Sequence, residues 1–410
     1  MPNYTLAEQH ASDYTSEILK AIDFWLGTET GTPVDKVVDG ITFHFKVIDG
    51  SLSKWFLEYL KTDDNLKHLL KSDMDEMLST IDEIRTHAIR MSYDEQFIFS
   101  KFSKTRYLNV IHNGKKPRGV NEFDLDHFNY ILHDIFITHG YEAKVKNNGK
   151  DENWFKKDSH VRKLHQRICP YCGRSYIYSI DVTSNGNSVM VKPQIDHYLP
   201  KSIYPWFAMT YFNLIPVCIQ CNHKDCKGNN DPLTNYKRPL RMIYPYEYDD
   251  SLLKFEYELK GADYNDASNF KVRINYNGHA ELEDGSRNHM MLDEFYRHHD
   301  EEVKSMYMQM MVLSSGARHY YRNLDIPANV LIPTPQLILG YGFSAENSRI
   351  QLLYKFRKDI YRLMTSSKVF KHLFEVKLQH QKKQNKRCGF EQFLRKLRVA
   401  GWKLKRLVKK

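Results

Sequence analysis

The chain has 410 residues, 60 Lys+Arg against 50 Asp+Glu, and a formal net charge of +10. Hydrophobic residues make up 41% and aromatics 13%, enough for folded cores, so disorder of the whole chain is excluded. Charged residues break every apolar run short of the ~18–20 residues a membrane span needs. The N-terminus MPNYTLAEQHASDYTSE lacks a basic region followed by an apolar one, so no secretory signal is expected. Six cysteines are too few for a disulfide scaffold and fit a reducing cytoplasm, where clustered thiols point to metal or chemistry.

The charge is unevenly spread. Residues 1–100 carry 18 acidic and 9 basic side chains, and residues 351–410 carry 19 basic and 3 acidic. The basic end is a handle for a polyanion, whereas the acidic start suits a structural or partner-binding role. In residues 1–158, apolar spacing predicts helices near Ile18–Leu26 and over Leu52–Ile84. A hairpin is predicted over Val37–Ile48, turning at Asp39-Gly40. A loop follows at Asn113–Gly119, and Asn147–Glu152 reads as a linker.

Residues 159–245 hold the strongest signals. Cys169-Pro170-Tyr171-Cys172-Gly173 and Cys218-Ile219-Gln220-Cys221 are two C-x-x-C knuckles 45 residues apart. Four soft thiolates suit one tetrahedral zinc. Cys226 and Cys388 fall outside this pattern and read as free thiols. Between the knuckles, Tyr176–Val182 and Val189–Ile195 flank Ser184-Asn185-Gly186-Asn187, a hairpin signal. Asp196-His197-Tyr198-Leu199-Pro200-Lys201-Ser202 follows, then Asn213-Leu214-Ile215-Pro216, and Asn222-His223-Lys224 after the second knuckle.

The ordered pattern C-x2-C-x23-D-H-x15-N-x4-C-x2-C-N-H-K resembles the HNH endonucleases of the zinc-stapled, treble-clef kind with a ββα-metal active site. The resemblance covers about 75 residues, from Ile168 to near Tyr244. It implies a nuclease that hydrolyses phosphodiester bonds, most readily of DNA, with Mg²⁺ or a similar divalent cation beside the structural zinc. Residue chemistry is compatible. His197 suits a general base, and Asp196 offers a hard oxygen for Mg²⁺. The resemblance gives Asn213 the orienting of that base. It gives the second metal-ligand position to the residue after the last zinc cysteine. That residue is Asn222, with His223 the alternative, because adjacent helical side chains point about 100° apart. Lys224, Lys227 and, more weakly, Arg174 are candidate phosphate contacts.

Beyond the module, residues 246–348 read as α+β. KFEYELKG and NFKVRINYNG alternate as strands, and helix is predicted from Leu292 through Tyr320. A Pro/Gly-rich connection spans Pro327–Gly342, and residues 349–410 form a basic helical tail, amphipathic from Phe390 to Val408. The expected fold class is α+β, with the central module flanked by mainly helical regions. The arrangement also resembles that of HNH nucleases in bacterial anti-phage systems, which commonly pair with an ATPase or another sensor. It implies a regulatory protein partner for residues 1–158. The competing readings are a catalytically silent nucleic-acid-binding module and an assembly subunit that docks protein through its zinc fold.

Overall fold

The computed structural model describes residues 7–18, 34–45, 52–93, 128–146, 160–311 and 335–367, with isolated exceptions inside these ranges. The loop at 113–119, the linker at 147–152, most of the Pro/Gly-rich connection and the basic tail from 368 onward lie outside the described residues. The class is α+β: among the described residues, helices combine with four separate two-stranded antiparallel sheets. No described helix is long and apolar enough to cross a membrane.

Two compact units emerge. The first comprises residues 1–253, 276–294 and 348–353, and the second residues 254–275, 295–347 and 354–410. The boundary expected near residue 158 therefore falls inside the first unit. The basic stretch expected to begin at Arg349 is divided between the two.

The first unit begins with helical residues within 7–18, and the predicted hairpin follows. Strands β1 (Val34–Val38) and β2 (Ile41–Phe45) pair antiparallel with Val38 opposite Ile41, and the expected turn residues Asp39 and Gly40 lie outside the described residues. The helical stretch expected over Leu52–Ile84 is three helices: α1 (Leu52–Lys61), α2 (Asn65–Lys71) and α3 (Met74–Arg90). Helix α3 starts where it does because of Asp73. The Asp73 carboxylate accepts from the Glu76 backbone N–H, and the Glu76 carboxylate accepts from the Asp73 N–H, both at 3.0 Å. This reciprocal capping satisfies two of the helix's orphan donors.

The apolar faces of these helices carry Phe56, Leu69, Ile81 and Ile84, all buried. They meet the segment that leads into Asn213. Trp206, fully buried, packs against Phe56 at 6.2 Å and Phe128 at 5.9 Å between ring centroids. Thr210 Oγ1 donates to the Leu69 carbonyl at 2.9 Å. Tyr14 donates to the Met209 carbonyl at 2.6 Å. The acidic N-terminal half thus supplies much of the core beneath the central module. A further helix of π type, His133–Lys146, passes so close to this segment that a Cβ on Gly140 would collide with the Met209 sulfur.

Strands β3 (Ile180–Ser184) and β4 (Asn187–Val191) form the hairpin expected between the knuckles. One element differs from the sequence reading. The second strand does not run on through Ile195. A separate strand, β5 (Gln194–His197), pairs antiparallel with β6 (Leu214–Val217). Pro193 lies at the break, where its missing N–H removes one ladder bond.

His160 anchors the same sheet. Its Nε2 lies 3.0 Å from the Leu214 carbonyl. A carbonyl only accepts, so Nε2 carries the proton. Its ring meets the edge of Tyr211 at 4.8 Å. Burial lowers its pKa from 6.5 to about 4, so the folded state holds this side chain neutral. The unfolded chain binds a proton below pH 6.5 that the folded chain refuses until about pH 4. Stability from this group is full above pH 6.5 and is lost as pH falls through that window. We expect about 2 kcal/mol of destabilisation by pH 5. Urea unfolding of the wild type and of His160→Gln at pH 7 and pH 5 checks this. Equal pH sensitivity in the two proteins would refute the assignment.

The second unit is built on strands β7 (Lys254–Leu259) and β8 (Phe270–Asn275), as the alternation predicts. Phe270, Val272 and Ile274 are buried while Lys271, Arg273 and Asn275 face outward. The buried face packs on helices Asp300–Met311 and Tyr354–Ser366, with Phe255 against Phe356 at 5.4 Å and Phe270 against Tyr307 at 5.3 Å. Asp359 accepts from the Phe255 N–H at 3.1 Å and pairs with Lys355 at 2.9 Å.

Candidate active site and metal centre

The two knuckles meet. The sulfur atoms of Cys169, Cys172, Cys218 and Cys221 all lie within 4.8 Å of one another, and all four residues are buried. A tetrahedral zinc with Zn–S bonds of about 2.3 Å places its sulfurs about 3.8 Å apart. The Cys172–Cys218 separation is 3.9 Å, so the donor set fits a metal such as zinc. Gly173, at φ +65°, turns the first knuckle in the left-handed region that glycine adopts without strain. The Cys218 and Cys172 sulfurs accept from the Cys221 and Arg174 N–H groups, both at 3.4 Å, as thiolate ligands in knuckles need. Burial pushes the Cys169 thiol well up, and hydrogen bonds from its three neighbours hold Cys218 well down. Cys226 is buried but lies outside the cluster.

Strand β5 carries Asp196 and His197, both buried, to the edge of this cluster. Each knuckle sends one side chain to Asp196. Tyr171, inside the first knuckle, donates its hydroxyl to Asp196 Oδ2 at 2.7 Å. Lys227, six residues past Cys221, places its ammonium 3.6 Å from Asp196 Oδ1 and donates to the His197 carbonyl at 3.1 Å. Lys227 is 0% exposed. The sequence reading put it beside a phosphate path, whereas the fold turns it inward as the counter-charge of a buried carboxylate. Burial raises the Asp196 pKa and Lys227 lowers it in opposition.

His197 is held at one nitrogen. Its Nε2 lies 3.0 Å from the Ala208 carbonyl, so that nitrogen carries the proton and Nδ1 keeps the lone pair. Burial, and then the cations Lys201 and Lys227, lower its pKa to about 3, against a partial opposing effect of the Ala208 carbonyl. The imidazole is neutral at physiological pH. The Tyr141 ring meets it edge-on at 4.4 Å.

Asn213 is fully buried, and its side-chain hydrogen bonds run to the loop backbone. Its Oδ1 accepts from the Leu199 N–H at 2.7 Å, and its Nδ2 donates to the Leu199 and Phe207 carbonyls at 3.1 and 2.9 Å. One amide thereby closes the loop between β5 and β6. The closed loop presents the Ala208 carbonyl to His197.

The stretch after the second knuckle departs from the expected helix. Residues 219–229 form consecutive turns. The His223 N–H bonds to the Gln220 carbonyl, the Cys226 N–H to His223, and the Lys227 N–H back to Cys221. Asn222, Asp225, Gly228, Asn229 and Asn230 are turn formers, and Gly228 takes φ +42°. Turns rather than a helix let Lys227 reach back to Asp196. Asn222 is half-buried and makes no side-chain hydrogen bond among the described residues. His223 is exposed and lies 3.3 Å from Asp225. Among the described residues, only the four cysteines bring three or more His, Cys, Asp or Glu groups together for a metal. A divalent cation at Asp196 would therefore have that one carboxylate and water, with no second His, Cys, Asp or Glu cluster among the described residues. Mg²⁺ tolerates such a shell because it keeps several waters.

Lys224 is exposed and Arg174 is half-buried. The sequence reading passed over Lys201, Tyr171 and Tyr141. Lys201 sits over the Tyr141 ring at 5.0 Å and pairs with Glu142 at 3.2 Å. Its place four residues after His197, beyond Leu199-Pro200, was the available signal. Tyr171 gave none, because a knuckle's middle residues are ordinarily free to vary.

Comparison of the chain with protein-family models, with curated proteins and with solved structures finds no match in any of the three.

Proposed function

We propose that the first unit is a metal-dependent endonuclease of the HNH type, hydrolysing phosphodiester bonds of nucleic acid, with DNA the favoured substrate. One observation carries this reading. Asp196 and His197 lie side by side on a strand between two converging cysteine pairs, with His197 locked in the tautomer that leaves Nδ1 as a proton acceptor.

In this reading a structural zinc on Cys169, Cys172, Cys218 and Cys221 holds the frame. His197 Nδ1 takes the proton from the attacking water. Asn213 keeps the imidazole aimed by fixing the loop that bears the Ala208 carbonyl. Lys201 and Lys224 are the cations placed to draw in a phosphate, with Arg174 further out. A divalent cation held by Asp196, with Asn222 at the second-ligand position that the resemblance implies, would supply charge stabilisation for the phosphorane and the leaving oxygen. An anionic substrate near His197 offsets the lysine charges and raises its basicity. The effector role in anti-phage defence and an ATPase or other protein partner belong to the same proposal, resting on the resemblance alone.

The test is cleavage of supercoiled plasmid by the purified chain with Mg²⁺ or Mn²⁺. We expect metal-dependent nicking or linearisation that falls by about 10²–10⁴-fold in His197→Ala. Equal cleavage by His197→Ala would sink the assignment. A zinc-loaded wild type that binds plasmid without cutting it would favour the silent binding module.

A further inference from the structure

The proposed chemistry leaves one contact of His197 without a task. The π-type helix His133–Lys146 comes from the N-terminal half of the chain, outside the stretch between the knuckles. Helices of this type are rare and occur frequently at functional sites. Gly140 and Tyr141 are consecutive on this helix, and both are buried. Gly140 lies so close to Met209 that a Cβ has no room. Tyr141 lies against His197, with the ring centroids 4.4 Å apart and the planes at 71°. Met209 directly follows Ala208, whose carbonyl holds His197 Nε2 at 3.0 Å. The Tyr14 hydroxyl in turn donates to the Met209 carbonyl at 2.6 Å. The helix therefore rests both on the imidazole and on the loop that bears its hydrogen-bond acceptor.

The same ring meets a second side chain of the site. Lys201 Nζ lies 5.0 Å from the Tyr141 ring centroid, within cation–π reach. The next residue on the helix, Glu142, accepts from Lys201 Nζ at 3.2 Å. A single hydrogen bond at Nε2 fixes one atom of the imidazole and leaves the ring free to swing about it. A flat aromatic edge packed against the imidazole removes that freedom, because close-packed neighbours restrict a side chain to one rotamer. We infer that Tyr141 is a positioning residue of the Asp196–His197 site: its ring holds the imidazole where Nε2 meets the Ala208 carbonyl, and its face seats the Lys201 ammonium. The ring does this by shape and by its π face, so the hydroxyl is dispensable. The π helix is then a wall of the site, and the stretch between the knuckles is incomplete without it. The inference rests on the nuclease reading for the reaction, but not for the contact.

The experiment compares Tyr141→Leu with Tyr141→Phe in the full chain, each checked for a zinc content equal to that of the wild type. If Tyr141→Leu loses its zinc, Tyr141→Met takes its place, because the flexible methionine chain fills irregular space with less strain. The first readout is nuclear magnetic resonance of protein labelled with ¹⁵N at histidine, without substrate. The His197 ring signals are those that vanish in His197→Ala. In the wild type and in Tyr141→Phe they should show one protonated and one bare nitrogen. In Tyr141→Leu the two should be drawn together, as the ring leaves Ala208 and exchanges its proton with water. The second readout is plasmid cleavage. Turnover should fall by about tenfold or more in Tyr141→Leu, as misplacing a reacting group does, while KM changes by less than about threefold. Tyr141→Phe should recover turnover. An unchanged pair of nitrogen signals in Tyr141→Leu refutes the inference whatever the cleavage rate. So does a zinc-loaded Tyr141→Leu that cuts at the wild-type rate or is altered in KM alone. A wild type that does not cut removes the nuclease reading, and the nitrogen signals then decide the role of Tyr141 by themselves.

Discussion

Cys218→Ser is expected to abolish zinc binding and to lower the melting temperature of the chain by roughly 10 °C or more. The four sulfurs lie within 4.8 Å of one another in a buried pocket. Structural zinc in such sites contributes about 10–16 kcal/mol in small fingers. The surrounding core of helices α1–α3 and the aromatic segment at 204–212 will retain part of the fold, so the loss should be a fraction of that figure. Its consequences extend past the metal. Tyr171 sits between Cys169 and Cys172, and the chain that carries Lys227 begins at Cys221. Freeing the knuckles therefore loosens both side chains that hold Asp196. Metal analysis should find about one zinc per wild-type chain, none in Cys218→Ser, and an unchanged content in Cys226→Ser, whose thiol lies outside the cluster. A Cys218→Ser protein that kept both its zinc and its melting temperature would overturn the metal-centre assignment.

Lys227→Met should cost about 3–5 kcal/mol, the usual result of stripping the partner from a buried charge. Lys227 is wholly buried and Asp196 nearly so, and the ammonium also satisfies the His197 carbonyl. Methionine fills the volume without the charge. The carboxylate then either takes up a proton or stays charged in a dry site, and burial already raises its pKa. Both outcomes weaken folding at neutral pH. Adding Asp196→Asn removes the stranded charge, so the double variant should recover a large part of the loss. Urea unfolding at pH 7 of the four proteins in that cycle gives the coupling energy. A loss below about 1 kcal/mol for Lys227→Met would mean that the pair is not closed off from water. In the cleavage assay, the same substitution should lower turnover more than substrate binding, because Lys227 positions Asp196 and His197 without reaching the surface. A surface phosphate contact would do the opposite and weaken binding first.

The two substitutions share a logic. The metal centre and the Asp196–His197 pair are one structure, tied by Tyr171 from one knuckle and Lys227 from beyond the other. Asn213 closes the third side by spanning Leu199 and Phe207. The neutral state of His197 follows from this enclosure. Burial and the neighbouring lysines act together to keep the proton off Nδ1.

Much of this was legible in the sequence because its signals are local. Two C-x-x-C pairs announce one shared cluster of thiols able to hold a metal, since thiol spacing within a tight turn is fixed by covalent geometry. Asp39-Gly40 is the turn signal between the paired strands β1 and β2. The alternation of Phe270, Val272 and Ile274 gives one buried face of a strand. Asp73 and Glu76 are a helix-start signal of the same local kind, which the single helical stretch expected over Leu52–Ile84 passed over. The α+β class follows from such pieces. Tertiary structure alone decided the direction of Lys227. A lysine in a polar, turn-rich stretch reads as a surface cation, and only the proximity of Asp196, 31 residues away in the chain, makes burial of its charge tolerable. The turns after Cys221 are another case. The expected helix would have satisfied its own backbone, but the closing bond from Lys227 to the Cys221 carbonyl and the Asp196 pair favour a tighter path. The contact between helices α1–α3 and the segment before Asn213 is a third. Amphipathic spacing predicts that a helix buries a face, but not which surface covers it, because hydrophobic burial carries no direction. Sequence thus determined which residues could form a metal site and which elements could form. Long-range packing decided which charges were enclosed and which cations remain at the surface.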